Sequence, residues 1–261
     1  MALESSSPAV FEFIASVARA YAALTQCALA DPQIGLGGKF FYAGQLDNAG
    51  RTLVVAANIA GAATLVTTAD PKAQKQALRD GITDFVVTSL DEALRIMKNE
   101  LRKRQAVSVC VGLGPADVEC EMRNRGVLPD LQRRDLRIAQ YEALKLQERD
   151  KANLDLRKVP AVVTWHIDSA LPKGLAKLDE IALACLGEEE WAARRWLRLA
   201  PRFLGRLAKG LHLVESHREF AARFAEQVTE RVNRHEISFA YEIRTYVRGL
   251  EGREQFNSGK P

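Results

Sequence analysis

The sequence predicts an α/β fold, in which a Rossmann-like parallel sheet flanked by helices precedes a mainly helical C-terminal half that ends in a long β-strand. Between residues 39 and 131, short apolar runs alternate with helical stretches, an order typical of crossover units in a parallel sheet. After Asp130 helical periodicity dominates, up to one strictly alternating segment over residues 235–247. We therefore expect a first domain over 1–135 and a second over 136–261.

The first half begins with a helix that Ser7 caps and Pro8 opens. Five apolar runs follow, each separated from the next by a helical stretch, so helices are expected on both faces of the sheet. The predicted helices cover residues 7–30, 53–63, 71–81, 91–104 and 115–125. The predicted strands cover residues 39–44, 64–68, 83–88, 106–111 and 127–131.

The second half is predicted to hold four helices and two strands. The helices cover 137–151, 174–185, 188–209 and 216–234, and the strands lie near 159–168 and 235–247. One face of the last strand carries Ile237, Phe239, Tyr241, Ile243 and Val247. An amphipathic strand near a terminus readily pairs at a sheet edge, so we expect a homodimer.

The helix over 188–209 is rich in tryptophan and arginine. Pro201 should kink it. Packing through the apolar face, with a solvated basic face, is favoured over contact with an anionic membrane or with nucleic acid. The net charge of +4, whose excess lies in residues 151–261, is also small for a nucleic-acid binder.

Composition places the chain among globular proteins of a reducing compartment. Hydrophobic residues make up 47% of the chain, yet no run approaches the roughly 18 apolar residues of a membrane span. Glu4 stands where a secretory signal carries Lys or Arg, so a cytoplasmic protein is expected. The four cysteines lack C-x-x-C spacing and sit in apolar segments, which predicts buried free thiols.

Histidine offers few candidates for chemistry. The four histidines show no metal-ligand spacing, so no metal site is predicted. His166 lies in an apolar strand, where a buried histidine with a backbone partner is favoured over a catalytic base. Catalytic residues therefore remain unassigned by the sequence.

Two turns are candidates for holding a ligand, because ligands of doubly wound sheets bind beyond the carboxyl ends of the strands. The turn after the first strand holds Gly44, Gln45, Asn48 and Gly50. About twenty residues beyond Gly50, Asp70 stands where an acid contacts a ribose hydroxyl, although an ordinary turn with Asp70 as a helix cap explains the spacing equally well.

The second candidate turn follows the fourth strand. Gly112 and Gly114 precede Pro115, which opens a helix, so the backbone there allows close approach of an anion. The alternative is that these glycines only turn the chain.

Four segments resemble the NAD-binding domain of urocanase (urocanate hydratase), over about residues 36–131. They are GGKFFYAG, ANIAGAATL, TSLDEALRIMKNELRKRQAVSVCVG and ADVECEMRNRGVLPDL. The most specific match is Arg125-Gly126-Val127 with Pro129-Asp130, and Gly38-Lys39 and Ala60-Gly61-Ala62 also stand in matching places. The resemblance implies a Rossmann-like fold, NAD as cofactor and hydro-lyase chemistry on urocanate.

The sequence departs from that family where the cofactor would be held. The family's glycine-dense loop, which wraps the NAD diphosphate, is replaced by residues 45–49, in which Asp47 adds a charge that repels phosphate. After Asp130 the family's active-site segment is replaced by LQRRDLRIAQYE. We therefore expect hydratase activity to be lost and NAD binding to be poor.

Three hypotheses follow from these matches and departures. The first is a urocanase-related Rossmann-like protein that binds a nucleotide-like small molecule. The second is a urocanate hydratase, or a related NAD-dependent lyase, that acts with a partner subunit. The third is a non-catalytic, oligomeric interaction protein.

Overall fold

A computed structural model describes residues 8–27, 30–136, 160–167, 172–208, 210–247 and 258–259. The chain forms two compact units, Ser16–Leu146 and Met1–Ala15 with Gln147–Pro261. None of the described helices is long and apolar enough to cross a membrane.

Strands and helices alternate through the first unit, which we call the Rossmann unit. Its helices are α1 (Pro8–Cys27, shared with the other unit), α2 (Asn48–Ala60), α3 (Pro71–Arg79), α4 (Leu90–Lys103) and α5 (Pro115–Asn124). Its strands are β1 (Phe40–Gln45), β2 (Ala63–Thr67), β3 (Phe85–Val87), β4 (Val107–Val111) and β5 (Leu131–Gln132). The strands pair in the order β3-β4-β2-β1-β5, and every pair is parallel. The predicted Rossmann-like sheet is confirmed.

Helices bury one face of this sheet through an apolar cluster. Leu90, Ala93 and Met97 of α4, with Val118 and Met122 of α5, pack against side chains of the four strands β1 to β4. Strands β2 and β4 are buried at every position, as expected for parallel strands that are covered on both sides.

A polar network lies inside this apolar unit. The Ser108 backbone N–H donates to Asp84 Oδ2 at 2.7 Å, and the Asp84 N–H donates to Ser108 Oγ at 3.1 Å. Asn58 of α2 donates through Nδ2 to the same hydroxyl oxygen at 3.2 Å. The network ties α2 and β4 to the loop before β3, so the hydroxyl of the fully buried Ser108 is a central acceptor.

Residues of the segments that resemble urocanase most closely connect elements of the Rossmann unit to one another. Asp130 Oδ2 accepts from the Phe40 N–H at 2.8 Å, and Asp130 Oδ1 lies 3.5 Å from Lys39 Nζ. Arg125 pairs with Asp91, which lies in the first turn of α4. These matching residues therefore join the start of β1 to the chain before β5, and α4 to the end of α5.

The second unit is built on an antiparallel sheet. Its strands are β6 (Pro160–Ile167), β7 (Leu211–His217), β8 (Tyr241–Val247) and β9 (Ser258–Gly259), in the order β7-β6-β8-β9. Its helices are α6 (Pro172–Cys185), α7 (Trp191–Leu204) and α8 (Arg218–Asn233), and a 3₁₀ turn over Gly205–Leu207 follows α7. Trp165 of β6 is fully buried, with its ring 5.1 Å from that of Phe224 on α8.

Three predictions for this unit were wrong in detail. The sequence predicts no strand at β7, whose residues lie between and within the helices predicted over 188–209 and 216–234. The last strand begins at Tyr241, so Ile237 and Phe239 precede it. The predicted helix over 188–209 is helical from Trp191 to Leu204 and contains Pro201. The prediction over 137–151 lies outside the described residues.

The thiols also differ in part from the prediction. Cys110 and Cys185 are buried and free, and burial raises the pKa of each thiol, that of Cys110 to about 11. Cys120 is exposed because it lies on the outer side of α5, and Cys27 is half-buried.

Both outer strands of the antiparallel sheet's β7-β6-β8 part make further contacts over a part of their length. Trp196 of α7 donates through Nε1 to the Leu213 carbonyl of the edge strand β7, at 2.6 Å. Strand β8 pairs with β6 along its length and with β9 at Tyr241 and Glu242. The long terminal strand on which the homodimer expectation was based is therefore an inner strand.

Replacing Ser108 by Ala should lower the free energy of unfolding of the Rossmann unit by about 1–3 kcal/mol, because buried donors lose their acceptor. Urea unfolding followed by circular dichroism measures this change. All three tryptophans lie outside residues 16–146, so their fluorescence does not report on this unit. The control is Thr52→Ala, whose exposed hydroxyl donates to the Asn48 carbonyl, with a change within about 0.5 kcal/mol. Equal stability of the two variants would contradict the proposed importance of the network.

In the second unit, Asp179→Ala should lower the free energy of unfolding by a similar amount, about 1–3 kcal/mol. Asp179 Oδ1 accepts from Trp165 Nε1 at 2.9 Å and lies 2.8 Å from His212 Nδ1, so both rings lose a partner. Tryptophan fluorescence during urea unfolding measures the loss. The adjacent Glu180 is exposed, and Glu180→Ala should leave the transition unchanged. A shift of the same size in both variants would show that helix propensity, not the shared acceptor, determines the effect.

Candidate functional site

The candidate site lies at the carboxyl edge of the parallel sheet. Strands β2 and β4 are neighbours there, yet the chain leaves β2 toward β3 and leaves β4 in the opposite direction, toward β5. Right-handed crossovers then put α3 and α5 on opposite faces of the sheet. A crevice between the ends of two such strands is where doubly wound sheets bind ligands.

All seven residues predicted to contact a cofactor lie at this edge. They follow or end three adjacent strands: Gly44, Gln45, Asn48 and Gly50 at β1, Asp70 at β2, and Gly112 and Gly114 at β4. The sequence pattern therefore selected residues that lie at one edge of the sheet. That these residues contact a cofactor stays a prediction.

The turn from β1 into α2 requires its two glycines. Gly44 has φ +73 and stands where the register of β1 against β2 shifts. At Gly50 an added Cβ would lie 2.0 Å from the Gln45 carbonyl oxygen. Gly44 therefore supplies a left-handed backbone, and Gly50 lets the first turn of α2 approach the end of β1.

Asp47 fills the N-terminus of α2. Its Oδ1 accepts from the Gly50 N–H at 2.7 Å, and Arg133 donates to its two carboxylate oxygens at 3.1 Å each. Burial raises the pKa of Asp47, but the Gly50 hydrogen bond and Arg133 more than offset this, so the pKa lies below its ordinary value. An ionised carboxylate thus stands at the helix end where a phosphate would bind.

At the end of β2, Asp70 acts as a helix cap. Its Oδ1 accepts from the Lys72 N–H at 2.9 Å, and Pro71 opens α3. Gln74 of α3 donates to the Thr68 carbonyl at 2.8 Å. If Gly112 carried a Cβ atom, the Nε2 atom of Gln74 would lie 3.3 Å from it. The Gln74 side chain therefore lies across the crevice between β2 and β4.

The turn from β4 into α5 differs from the other two. Gly112 donates its N–H to the Val87 carbonyl at 2.8 Å, which holds the turn against β3. Gly114 occupies the N-cap of α5 and Pro115 follows, without a capping side chain. Among the three helices that open at this edge after β1, β2 and β4, only α5 lacks a carboxylate at its N-cap.

Three side chains that the sequence did not single out lie close to this edge. Tyr42 of β1 donates its hydroxyl to Glu119 Oε1 at 3.1 Å, and Thr67 Oγ1 donates to the Gly44 carbonyl at 3.3 Å. Burial, with the neighbouring Glu119, raises the pKa of Tyr42 far above its ordinary value. The phenol is therefore a hydrogen-bond donor at neutral pH.

The histidines lie outside the Rossmann unit. His166 is half-buried on β6, opposite Glu242 of β8 in the sheet register. His212 approaches Asp179, and His217 caps α8 by accepting from the Phe220 N–H. Within the described ranges, no group of three His, Cys, Asp or Glu side chains could hold a metal ion.

The fold of the Rossmann unit agrees with a comparison against protein-family models. The match covers the β1–β5 sheet and also includes most of α1 and the residues that follow β5, a wider range than the four resembling segments. Residues 17–135 match the model of the urocanase Rossmann-like domain, so this part of the chain is similar to that domain.

Proposed function

We propose that this is a urocanase-related Rossmann-like protein without hydratase activity, which binds a nucleotide-like small molecule in a manner different from the family's grip on NAD. The observation that carries the proposal is the occupation of the α2 N-terminus by Asp47, with Arg133 at its carboxylate. In the family this turn is a glycine-dense loop around the NAD diphosphate.

The contacts of Asp47 support weak NAD binding. A diphosphate at this turn would have to displace the carboxylate from the Gly50 N–H and from the guanidinium of Arg133. Asp47 already gives these donors charge-assisted hydrogen bonds, so a phosphate would replace one anion by another with little gain. The repulsion between two anions opposes binding further.

The crevice between β2 and β4 supports binding of a different nucleotide-like ligand. Gly114 gives the start of α5 no capping side chain, so N–H groups of its first turn are open to an anion, although Asp117 in that turn places a carboxylate close to Gly114. Asp70 lies at the end of the neighbouring strand, where a ribose hydroxyl would approach. Gln74 would have to swing away from Thr68 to admit such a ligand.

The rival hypothesis is a urocanate hydratase, or related lyase, completed by a partner subunit. It requires NAD at the same edge, so NAD binding separates it from our proposal. The loss of the family's active-site segment after Asp130 and the use of Arg133 in an ion pair both count against it.

The decisive variant is Asp47→Gly, which frees the α2 N-terminus and Arg133 together. We expect wild type to show no saturable NAD binding below about 1 mM, and the variant to bind at least about tenfold more tightly. Isothermal titration measures the affinity, while urocanate's ultraviolet band, followed with NAD present, should stay constant.

Two further variants act as controls for this titration. Asp47→Asn keeps the helix cap and removes the charge, so its gain in NAD affinity should be smaller than that of Asp47→Gly. Asp70→Gly removes a cap at the same edge and should bring no gain. Tight NAD binding by wild type, or steady loss of the urocanate band, would reverse the ranking of the two hypotheses.

We keep the homodimer as part of the proposal, with the contact between the two copies at strand β3 and not at the last long strand, β8. The edge strand β3 pairs only with β4 among the described strands, and Phe85 and Val86 are 46% and 36% exposed. Leu78 of α3, 49% exposed, adds a third large apolar side chain to this unit's surface. Exposed apolar side chains at a free sheet edge favour pairing with the same strand of a second copy about a two-fold axis.

Light scattering at micromolar concentration should therefore give the mass of a dimer. Val86→Lys should yield a monomer, because a lysine on an edge strand opposes strand pairing. Leu128 is 84% exposed away from β3, so Leu128→Lys is the matched control and should remain dimeric. A monomeric wild type would remove the dimer from the proposal.

A further inference from the structure

A groove of about 470 Å³ lies beside α4, far from the candidate site. Its floor is apolar and consists of Phe40, Leu94, Met97, Leu101 and Val127. Phe40 opens β1, so the groove lies toward the amino ends of the strands, whereas the candidate site lies at their carboxyl ends. We call this surface the α4 groove.

Two cations stand at the rim of the α4 groove. Lys98 and Arg102 are exposed and four residues apart on α4, so their side chains lie on one side of the helix. Neither forms an ion pair with any residue that the structure describes, whereas the nearby Lys103 pairs with Glu100 and Lys39 with Asp130. The groove thus combines an apolar floor with two unpaired positive charges.

The size of the α4 groove fits a small ligand better than a protein. Small-molecule sites enclose about 300–1,000 Å³ and are mostly apolar with a few placed polar groups. A stable protein interface involves roughly 20–30 residues a side, many more than line this groove. From Leu94 to Leu101 the floor follows α4 for about 10 Å, since each residue adds 1.5 Å.

We propose that the α4 groove binds a single-chain anionic amphiphile. An alkyl chain of medium length lies on the apolar floor, and a carboxylate or phosphate head group contacts Lys98 and Arg102. Charge complementarity selects the anion, because a neutral or cationic head would leave both side chains without a partner. This site is independent of the proposed nucleotide-like ligand and would stand if that proposal failed.

Isothermal titration of the full chain with four decyl compounds, each below its aggregation concentration, tests the proposal. Decanoate or decyl phosphate should bind, decanol should bind more weakly, and decyltrimethylammonium should not bind. Comparing the affinities of decanoate and decyl phosphate shows whether the site prefers the carboxylate head group of a fatty acid or the phosphate head group of a lipid. Lys98→Gln with Arg102→Gln should weaken binding of the preferred anion about tenfold and leave decanol unchanged.

The matched control removes the same charge from the same unit. Lys75 and Arg79 are exposed and four residues apart on α3, so Lys75→Gln with Arg79→Gln should change binding less than about twofold. Val127→Trp, whose larger side chain fills the space above the apolar floor, should weaken the binding of the anion and of decanol equally.

Four outcomes would overturn the proposal. The first two are that neither anion binds, or that decanoate and decanol bind equally well. The third is that the α3 control loses as much affinity as the α4 double variant. The fourth is that Val127→Trp binds the anion as tightly as wild type does. Competition by an acidic amphipathic peptide that wild type binds more tightly than either anion would assign the groove to a protein partner instead.

Discussion

The close approach of α2 to β1 determines how the carboxyl edge of the sheet can be used. Because Gly50 has no side chain, the first turn of the helix lies against the Gln45 carbonyl, and the helix end comes within reach of Asp47. Arg133, which follows β5, meets the same carboxylate because β5 is the neighbour of β1. One contact between a helix and a strand end thus sets both the shape and the charge of the edge.

The two ends of the sheet have different roles in relation to the family. At the amino end Asp130 holds the start of β1, and Arg125 after α5 pairs with Asp91 in the first turn of α4, so the residues that resemble urocanase most maintain the fold. At the carboxyl end, Asp47 and Arg133 form an ion pair at the turn where the resemblance to urocanase implies a cofactor loop. A Rossmann-like domain can therefore keep its recognisable segments while the chemistry of its edge differs, since fold and site depend on different residues.

The sequence predicted the Rossmann-like sheet well because each of its strands is a short apolar run with turn residues on both sides. It missed β7, because this strand joins α8 directly at His217 and carries polar residues such as Glu215. It also placed the start of the last strand too early, since the alternation of Ile237 and Phe239 continues into β8 without a break in pattern.

The candidate site was predictable in position but not in detail. Glycine spacing pointed to the turns after β1 and β4, because glycine marks tight turns locally. The ion pair of Asp47 with Arg133 joins residues 86 positions apart, and no local pattern contains that information. For the same reason the contact between Tyr42 and Glu119 could not be seen in the sequence.

The tethered carboxylate at α2 has a consequence for how this edge responds to its surroundings. A group held on the same chain acts at an effective concentration, in the millimolar range for a short tether, that the solution cannot dilute. Asp47 therefore behaves as an intramolecular competitor of any free anion, and Arg133 shares in that competition. Free phosphate well below that concentration should consequently displace Asp47 very little. A molecule that enters there would be selected for what it donates to Asp47, not for the negative charge it brings.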